Sequence, residues 1–274
     1  MTATQTQTLM LDRPGGRVAY DVRGDGPLVV CVPGMGELRS VYRFTVPALA
    51  AAGMRVATMD LRGHGDSDAT FASYDDVAAG SDVLALIEHL GGSAVVIGNS
   101  MGAGAGVWAA AEQPGQVLGL ALVGPFVRNP KISPLKQQAF RLAMSGPWAV
   151  RTWLAYLPRL YPSGKPGDFA GHLAVLRESL RRPGHAKAFA ATTRTSHAPA
   201  QERLPQVTGK PVLVVMGDKD PDFPDPRAEA EWIRDRLEAR LLLIPGAGHY
   251  PQAEMPDVVN PALVRFCQDV TAGA

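Results

Sequence analysis

The amino-acid sequence predicts an α/β fold with a mostly parallel, doubly wound sheet flanked by helices. Short apolar runs alternate with stretches of helical length along most of the 274 residues. The runs are apolar along their whole length, which is typical of parallel strands covered by helices on both faces. The alternation is interrupted once, over residues 125–205, by a proline-rich segment without a clear strand. We therefore expect a core of residues 1–124 and 206–274 and a helical lid insertion at 125–205.

The first half of the expected core begins with a hairpin and continues as strands and helices. Pro14-Gly15-Gly16 is a turn signal, because glycine tolerates the positive φ that tight turns require. The runs on either side of it are expected to pair as antiparallel strands. In chain order the predicted elements are strands at Thr8–Leu11, Val18–Val22 and Leu28–Val32, a helix at Val41–Ala52, a strand at Val56–Met59, a helix at Asp75–Leu90, a strand at Ala94–Ile97, a helix at Ala103–Gln113 and a strand at Leu118–Val123.

After the insertion the same alternation returns. Val212–Met216 and Leu241–Ile244 are apolar runs of strand length, whereas Asp225–Leu237 and the stretch from Pro256 onward have helical length. The insertion itself carries 13 basic and 3 acidic residues, and the rest of the chain is net negative. Two interpretations follow from this asymmetry: a basic lid that docks on an acidic core, or a lid that attracts an anionic substrate.

Bulk composition excludes several classes of partner. The net charge is +1 and no run is rich in lysine or arginine, so nothing points to nucleic acid. The first thirty residues lack the basic and apolar regions of a signal peptide, and no apolar run approaches the ~20 residues of a membrane helix. We expect a soluble, cytoplasmic protein that acts on a small molecule, and the sequence does not predict its oligomeric state.

The most informative motif is Gly98-Asn99-Ser100-Met101-Gly102, directly behind the predicted strand Ala94–Ile97. A serine with glycine two residues away on each side can occupy a sharp, strained turn between a strand and a helix. The small neighbours prevent the strand and the helix from colliding. Such a turn exposes the serine hydroxyl at the carboxyl edge of the sheet.

A histidine and an acid follow two later predicted strands. His249 lies in a glycine-rich loop after Leu241–Ile244, and Asp220 comes directly after Val212–Met216. In a parallel sheet these residues and Ser100 emerge at the same edge. A serine hydroxyl needs a base to remove its proton, and the base needs a carboxylate to orient it. Asp220 is the preferred acid from its Gly-x-x-Asp spacing, with Asp222 as the alternative.

Taken together, these motifs resemble the α/β-hydrolase family, and the resemblance covers the chain outside the insertion. The order Ser, Asp, His matches the family's order. Asp60-Leu61-Arg62-Gly63-His64-Gly65-Asp66-Ser67 is similar to its D-x-R-G-x-G-x-S loop, in which we interpret His64 as structural rather than catalytic. The resemblance implies Ser100 as nucleophile, His249 as base and Asp220 as acid.

The expected oxyanion hole consists of two backbone N–H groups, those of Met35 and Met101. Pro33-Gly34 stands where the family commonly has His-Gly after its third strand. Backbone donors do not depend on side-chain identity, so the hole is expected to survive this departure.

The predicted substrate pocket combines residues near the oxyanion loop with aromatic residues of the insertion. Glu37 and Arg39 are expected either to form pocket walls or to pair with each other in solvent. The full predicted set is Gly34, Glu37, Arg39, Phe126, Trp148, Trp153 and Tyr250.

No cofactor or metal is expected. Gly34-Met35-Gly36 follows a predicted strand, but Arg39 stands where a dinucleotide fingerprint requires its third glycine. The histidines and cysteines show no metal-ligand spacing.

The expected function is hydrolysis of a small carboxylic ester, thioester or lactone through an acyl-enzyme. One alternative is a carbon–carbon bond hydrolase, because Gly-Asn-Ser-Met-Gly also resembles the serine turn of such enzymes. The other is a ligand-binding receptor of the same fold that has little turnover.

Overall fold

Eight strands form one sheet in the computed structural model, which describes residues 7–130 and 133–273. The strands are β1 Leu9–Arg13, β2 Gly16–Arg23, β3 Leu28–Val32, β4 Arg55–Met59, β5 Ala94–Asn99, β6 Val117–Val123, β7 Val212–Gly217 and β8 Arg240–Ile244. Their order across the sheet is β1-β2-β4-β3-β5-β6-β7-β8. The first two pairings are antiparallel, and all pairings from β4 to β8 are parallel. The predicted hairpin and mostly parallel sheet are confirmed.

Helices cover both faces of this sheet. They are α1 Thr45–Ala51, α2 Asp76–His89, α3 Met101–Glu112, α4 Pro134–Ala143, α5 Ala149–Tyr156, α6 Phe169–Arg181, α7 His185–Thr192, α8 Ala198–Val207, α9 Pro226–Leu237, α10 Pro251–Glu254 and α11 Pro256–Ala272. Helices α2, α3, α8 and α9 contribute to the apolar core on one face, and α1 and α11 to the core on the other. No helix in the described ranges has the length and apolar character to cross a membrane.

Residues of β3 show why this strand is apolar along its whole length. Val30 and Val32 are buried in the core on one face, whereas Val29 and Cys31 are buried in the core on the other. Alternate side chains of a strand point to opposite faces, so a strand covered twice needs apolar residues at every position.

The chain reverses its direction of travel across the sheet after β4. From β3 it passes outward to β4, and β5 then pairs with the opposite side of β3. The crevice at the carboxyl ends of β3 and β5 is therefore a topological switch point, where open α/β sheets bind ligands. Ser100 directly follows β5 at this place.

One predicted helix is interrupted. The sequence predicts a helix over Val41–Ala52, but the structure contains a 3₁₀ helix at Arg39–Tyr42 followed by α1, which begins at Thr45. Pro47 explains the break, because in a continuous helix its ring would clash with the carbonyl group of Arg43, four residues earlier.

The segment between β6 and β7 contains α4 to α8 and, over its described residues, no strand. Helix α8 packs against α3 and α9 and buries Ala200, Leu204 and Val207 in the core. The predicted boundary at residue 205 therefore lies within α8. The division into a core and a lid remains a prediction.

Glycines allow α3 to lie very close to the sheet. A Cβ atom at Gly102 would meet the carbonyl oxygens of Val32 and Pro33, the second at 2.7 Å. Both contacts are with backbone atoms, which cannot rotate away as a flexible side chain can. The packing of α3 against β3 and β5 therefore depends on a missing side chain.

Gly102→Ala should lower the free energy of unfolding by roughly 1–3 kcal/mol, because the added methyl group overpacks a rigid contact. Gly171→Ala is the matched control, since nothing lies near its missing Cβ on α6. That control should be neutral or stabilising by about 0.5–1 kcal/mol, the helical preference of alanine over glycine. Urea denaturation of both variants measures the difference. Equal stability of the two variants would contradict the proposed crowding at Gly102.

Candidate active site

Ser100 occupies a strained turn between β5 and α3. Its φ is 55° and its ψ is −123°, a backbone region that residues with a Cβ rarely adopt. Its N–H donates to the carbonyl oxygen of Val123 at 2.9 Å, and its own carbonyl accepts from the N–H groups of Ala103 and Phe126. These hydrogen bonds connect the turn to β6 and α3, and they hold the serine in its strained conformation.

The loop after β3 passes directly over this turn. A Cβ atom at Gly34 would lie 2.7 Å from the Ser100 Cβ and 3.2 Å from its Oγ. Only glycine fits at position 34 without displacing the serine. Gly34, a predicted pocket residue, therefore contributes space beside the hydroxyl rather than a side-chain contact.

The backbone N–H groups of Met35 and Met101, the two predicted oxyanion donors, have no acceptor within the described part of the chain. Met101 is the first residue of α3, and first-turn N–H groups have no acceptor within their own helix. The N–H of Met35 has no hydrogen-bond acceptor among the residues that the structure describes. Both residues line the cavity that contains Ser100. This arrangement is suited to stabilising an oxyanion.

His64 and Trp153 fix the loop that carries Met35. The N–H of Gly36 donates to His64 Nε2 at 3.1 Å, and the Gly36 carbonyl accepts from Trp153 Nε1 at 2.8 Å. His64 Nδ1 lies 2.9 Å from the carbonyl oxygen of Arg62. Burial lowers the pKa of His64 to about 4, so its Nε2 is free to accept at neutral pH. The structure thus gives His64 a supporting position in the site.

His249 and Asp220 form a buried pair at the carboxyl edge of the sheet. His249 Nδ1 lies 2.7 Å from Asp220 Oδ2, and each residue is 2% exposed. The other oxygen of Asp220 accepts from the N–H of Asp222 at 3.0 Å. Since Nδ1 faces the carboxylate, Nε2 is the nitrogen of His249 available for proton transfer.

Two hydrogen bonds and one aromatic contact hold the His249 loop. Asn99, the residue before Ser100, donates through Nδ2 to the His249 carbonyl at 3.1 Å. The N–H of His249 donates to the carbonyl of Leu160 at 3.0 Å. The Tyr250 ring lies edge-on to the imidazole, with centroids 5.0 Å apart. Asn99 therefore couples the position of the serine turn to that of the histidine loop.

Asp222, the alternative acid, lies on the other side of the imidazole. Its Oδ2 is 3.7 Å from His249 Nε2, and its Oδ1 accepts from the Tyr156 hydroxyl at 2.5 Å. Burial disfavours the imidazolium form of His249, but Asp220 and Asp222 outweigh it and raise the pKa of His249 to about 9. Asp220 therefore has the geometry of the orienting acid, and Asp222 adds to the proton affinity of the imidazole.

A cavity of about 850 Å³ opens onto Ser100 and His249. Of the predicted pocket residues, Phe126, Trp148, Trp153 and Tyr250 line it. Phe126 stacks on Phe223 and also contacts the His249 ring, at a centroid separation of 5.9 Å. The structure therefore places these four aromatic residues in the wall of the cavity, and their role in substrate binding stays a prediction.

Glu37 and Arg39 do not line this cavity, which corrects the sequence-based expectation. Glu37 is fully buried and its Oε2 lies 2.8 Å from His172 Nε2. Arg39 forms ion pairs with Asp21, Asp60 and Asp66. Glu37 is held by His172 and Arg39 by three aspartates, and the two side chains do not pair with each other.

Several cavity residues were missed by the sequence analysis. The main group lies next to the predicted Trp148 and follows a helical stripe along α5 and the 3₁₀ helix Leu157–Leu160: Arg151, Thr152, Ala155 and Arg159. Their spacing of three or four residues is that of one helix face. This periodicity could have been found in the sequence, but it mixes polar, charged and aromatic residues and gives no apolar signal.

A second histidine–carboxylate pair reaches the same cavity. His197 lines the cavity, and its Nδ1 lies 2.8 Å from Asp76 Oδ2, which is fully buried on α2. The Phe126 ring contacts both His197 and His249. From the sequence His197 is expected only to have a surface or lid position, because nothing in its spacing relates it to Asp76.

Asp220, Asp222 and His249 could also be ligands of a cation by spacing. Their ligand atoms lie within 4.8 Å of one another, close enough for all three residues to contact one metal ion. His249 Nδ1 and Asp220 Oδ2 already face each other, however, so a cation would have to displace that hydrogen bond.

Residues 29–262 match the model of the alpha/beta hydrolase family. The chain is similar to the dihydrolipoyllysine-residue acetyltransferase component of the acetoin cleaving system of Pseudomonas putida, with 32% identity over 92% of this chain and 67% of that protein. It is also similar to 2-(acetamidomethylene)succinate hydrolase of Mesorhizobium japonicum, with 28% identity over 92% of each protein.

Among solved structures, an esterase from Exiguobacterium antarcticum has a TM-score of 0.82 to this chain. It shares 19% sequence identity and covers 96% of this chain and 100% of its own. At that level of identity the likeness concerns the fold alone.

Asp222→Asn should lower the pKa of His249 below its value of about 9, because it removes one of the two carboxylates that stabilise the imidazolium. Asparagine keeps an oxygen that can accept the Tyr156 hydrogen bond. NMR titration of the histidine side chains, with His249→Gln to assign the resonance, measures the midpoint. Asp235→Asn, on the exposed part of α9, is the control and should leave it unchanged. An unchanged midpoint in Asp222→Asn would contradict the electrostatic role of Asp222.

Proposed function

The chain belongs to the α/β-hydrolase family, and from this premise we propose that it hydrolyses a small carboxylic ester, thioester or lactone through an acyl-enzyme on Ser100. The observation that carries the proposal is a strained serine turn and a buried His249–Asp220 pair, with Ser100 and His249 in the wall of one cavity. The match to the hydrolase family model and the similarity to the hydrolase from Mesorhizobium japonicum support hydrolysis as the reaction class.

The first half of the proposed reaction forms the acyl-enzyme. His249 Nε2 takes the proton of the Ser100 hydroxyl as its oxygen attacks the substrate carbonyl carbon. The carbonyl oxygen becomes an oxyanion, to which the N–H groups of Met35 and Met101 donate. As the tetrahedral intermediate collapses, the bond to the leaving group breaks and His249 gives the proton to that group.

The second half releases the acid. His249 removes a proton from a water molecule, whose oxygen attacks the acyl carbon. The same two N–H groups hold the second oxyanion, and the proton returns to Ser100 Oγ when its bond to carbon breaks. Asp220 keeps the imidazole oriented in both halves and stabilises its charged form.

Three alternatives make different predictions for the same site. A carbon–carbon bond hydrolase would use Ser100 and His249 but would cleave a diketone faster than a simple ester. A receptor would bind a ligand with Ser100 unmodified and without turnover. A metal-dependent hydrolase would use Asp220, Asp222 and His249 as ligands, and a chelator would abolish its activity.

Ser100→Ala should lower ester turnover by at least about 10³-fold, because the nucleophile, base and acid act as one unit. Ser93→Ala, an exposed serine before β5, is the matched control. A fluorophosphonate probe followed by peptide mass spectrometry should give an adduct on Ser100 that is lost in His249→Ala, and incubation with a chelator should change neither result.

Three outcomes would overturn the proposal. Retained turnover in Ser100→Ala would show that Ser100 is not the nucleophile. Loss of activity with a chelator would favour the metal-dependent hydrolase. An absent adduct in a folded sample, with no ester turnover, would favour the receptor.

A further inference from the structure

Resting on the proposed function, we propose that the substrate carries an oxyanionic group, a carboxylate or a phosphate, that binds Arg141, Arg151 and Arg159. All three arginines line the cavity that contains Ser100 and His249. They come from three elements between β6 and β7: α4, α5 and the 3₁₀ helix Leu157–Leu160. The wall of this cavity thus contains both the serine hydroxyl and three guanidinium groups.

These three arginines differ from most others in the chain in having no partner. Arg13, Arg39, Arg62 and Arg128, for example, each form an ion pair with a carboxylate. Within residues 7–130 and 133–273, the guanidinium groups of Arg141, Arg151 and Arg159 form neither an ion pair nor a hydrogen bond. Unpaired guanidinium groups at a concave surface can bind an incoming anion without first giving up a partner.

Other arginines of the segment between β6 and β7 do form ion pairs, and they help to decide between the two interpretations of its positive charge: docking on an acidic core or attraction of an anionic substrate. Arg182 pairs with Asp66 and Arg203 with Glu112, so part of the charge does dock on the acidic core. That interpretation does not account for the three arginines of the cavity, because no described carboxylate pairs with them. The anionic-substrate interpretation accounts for them.

The cavity offers little negative charge to compete with a substrate anion. Among the described residues that line the cavity, Asp222 is the one acid. Its carboxylate accepts a hydrogen bond from Tyr156 and faces His249. The arginines therefore outnumber the acid in this lining. Guanidinium groups bind carboxylates and phosphates through two parallel hydrogen bonds, which gives orientation as well as affinity.

The cavity lining also includes apolar side chains, among them Met35, Met101, Phe126, Met144 and Trp148. A wall with both apolar side chains and arginines fits an acyl substrate that has an apolar part and an anionic group.

The test compares substrates that carry an anionic group with counterparts that lack it. Mono-p-nitrophenyl succinate and p-nitrophenyl butyrate form the carboxylate pair, and butyryl-coenzyme A and S-butyryl-N-acetylcysteamine form the phosphate pair. We expect kcat/KM to be higher for the anionic member of at least one pair, which identifies the source of the anion. Arg141→Gln, Arg151→Gln and Arg159→Gln should each lower that preference about tenfold, the loss of a charge-assisted hydrogen bond.

Arg177→Gln and Arg181→Gln are matched controls, since both remove one positive charge from the exposed surface of α6 outside the cavity. They should leave the preference as in the native protein. Raising the ionic strength should reduce it, because the arginines are solvent-exposed. Loss of the preference equally in the controls would indicate a general effect of net charge and would overturn the assignment.

A binding measurement keeps this inference separate from the proposed function. Calorimetric titration of Ser100→Ala with monomethyl succinate, and with coenzyme A, requires no turnover. The dissociation constant of the ligand that binds should rise about tenfold when Arg151→Gln is added. Ester turnover that depends on Ser100 but shows no preference for an anion, together with no binding of either ligand, would overturn the inference and leave the proposed function standing. Binding of an anion that depends on Arg151, without ester turnover in the native protein, would support the inference and overturn the proposed function.

Discussion

The strained backbone of Ser100 is the constraint on which the rest of this site depends. A residue at φ 55° and ψ −123° costs of order 1–3 kcal/mol and persists only where its surroundings allow no alternative. Here Gly34 and Gly102 allow neighbouring backbone to pack so closely that the turn cannot relax. The hydrogen bond from the Ser100 N–H to the Val123 carbonyl fixes the position of the turn at the end of β6. The sharp turn brings the hydroxyl to the topological switch point, beside the two free N–H groups and the cavity.

The segment between β6 and β7 helps to build the site as well as to cover it. Trp153 on α5 donates to the carbonyl of Gly36 and so fixes the loop of Met35. The Leu160 carbonyl accepts from the N–H of His249, and Tyr156 donates to Asp222. The donor loop, the base and the second carboxylate are therefore each held by a group from this segment. Changes of sequence there affect the geometry of the reacting groups together with the shape of the cavity.

Much of this structure follows from the sequence because parallel strands impose a simple rule. Strand β3 has the predicted limits, Leu28–Val32, and residues that follow β5, β7 and β8 meet at one edge. The rule concerns backbone order and does not predict the direction of a side chain in a loop. Glu37 and Arg39 lie close to Met35 in sequence, yet they point to His172 and to three aspartates. Such partners, 18 to 135 residues away, depend on tertiary packing that no local pattern encodes.

Two buried histidine–carboxylate pairs determine how the intervening segment sits on the sheet. Glu37 pairs with His172 on α6, and Asp76 pairs with His197 just before α8. Breaking either pair would leave a buried carboxylate without its partner, which costs far more than rearranging a surface contact. These pairs join the segment to loops and helices of the core at two separate points. Arg151 on α5 and Arg159 on the 3₁₀ helix Leu157–Leu160 belong to this anchored segment, so the position of their charges at the cavity depends on how the segment is attached to the core.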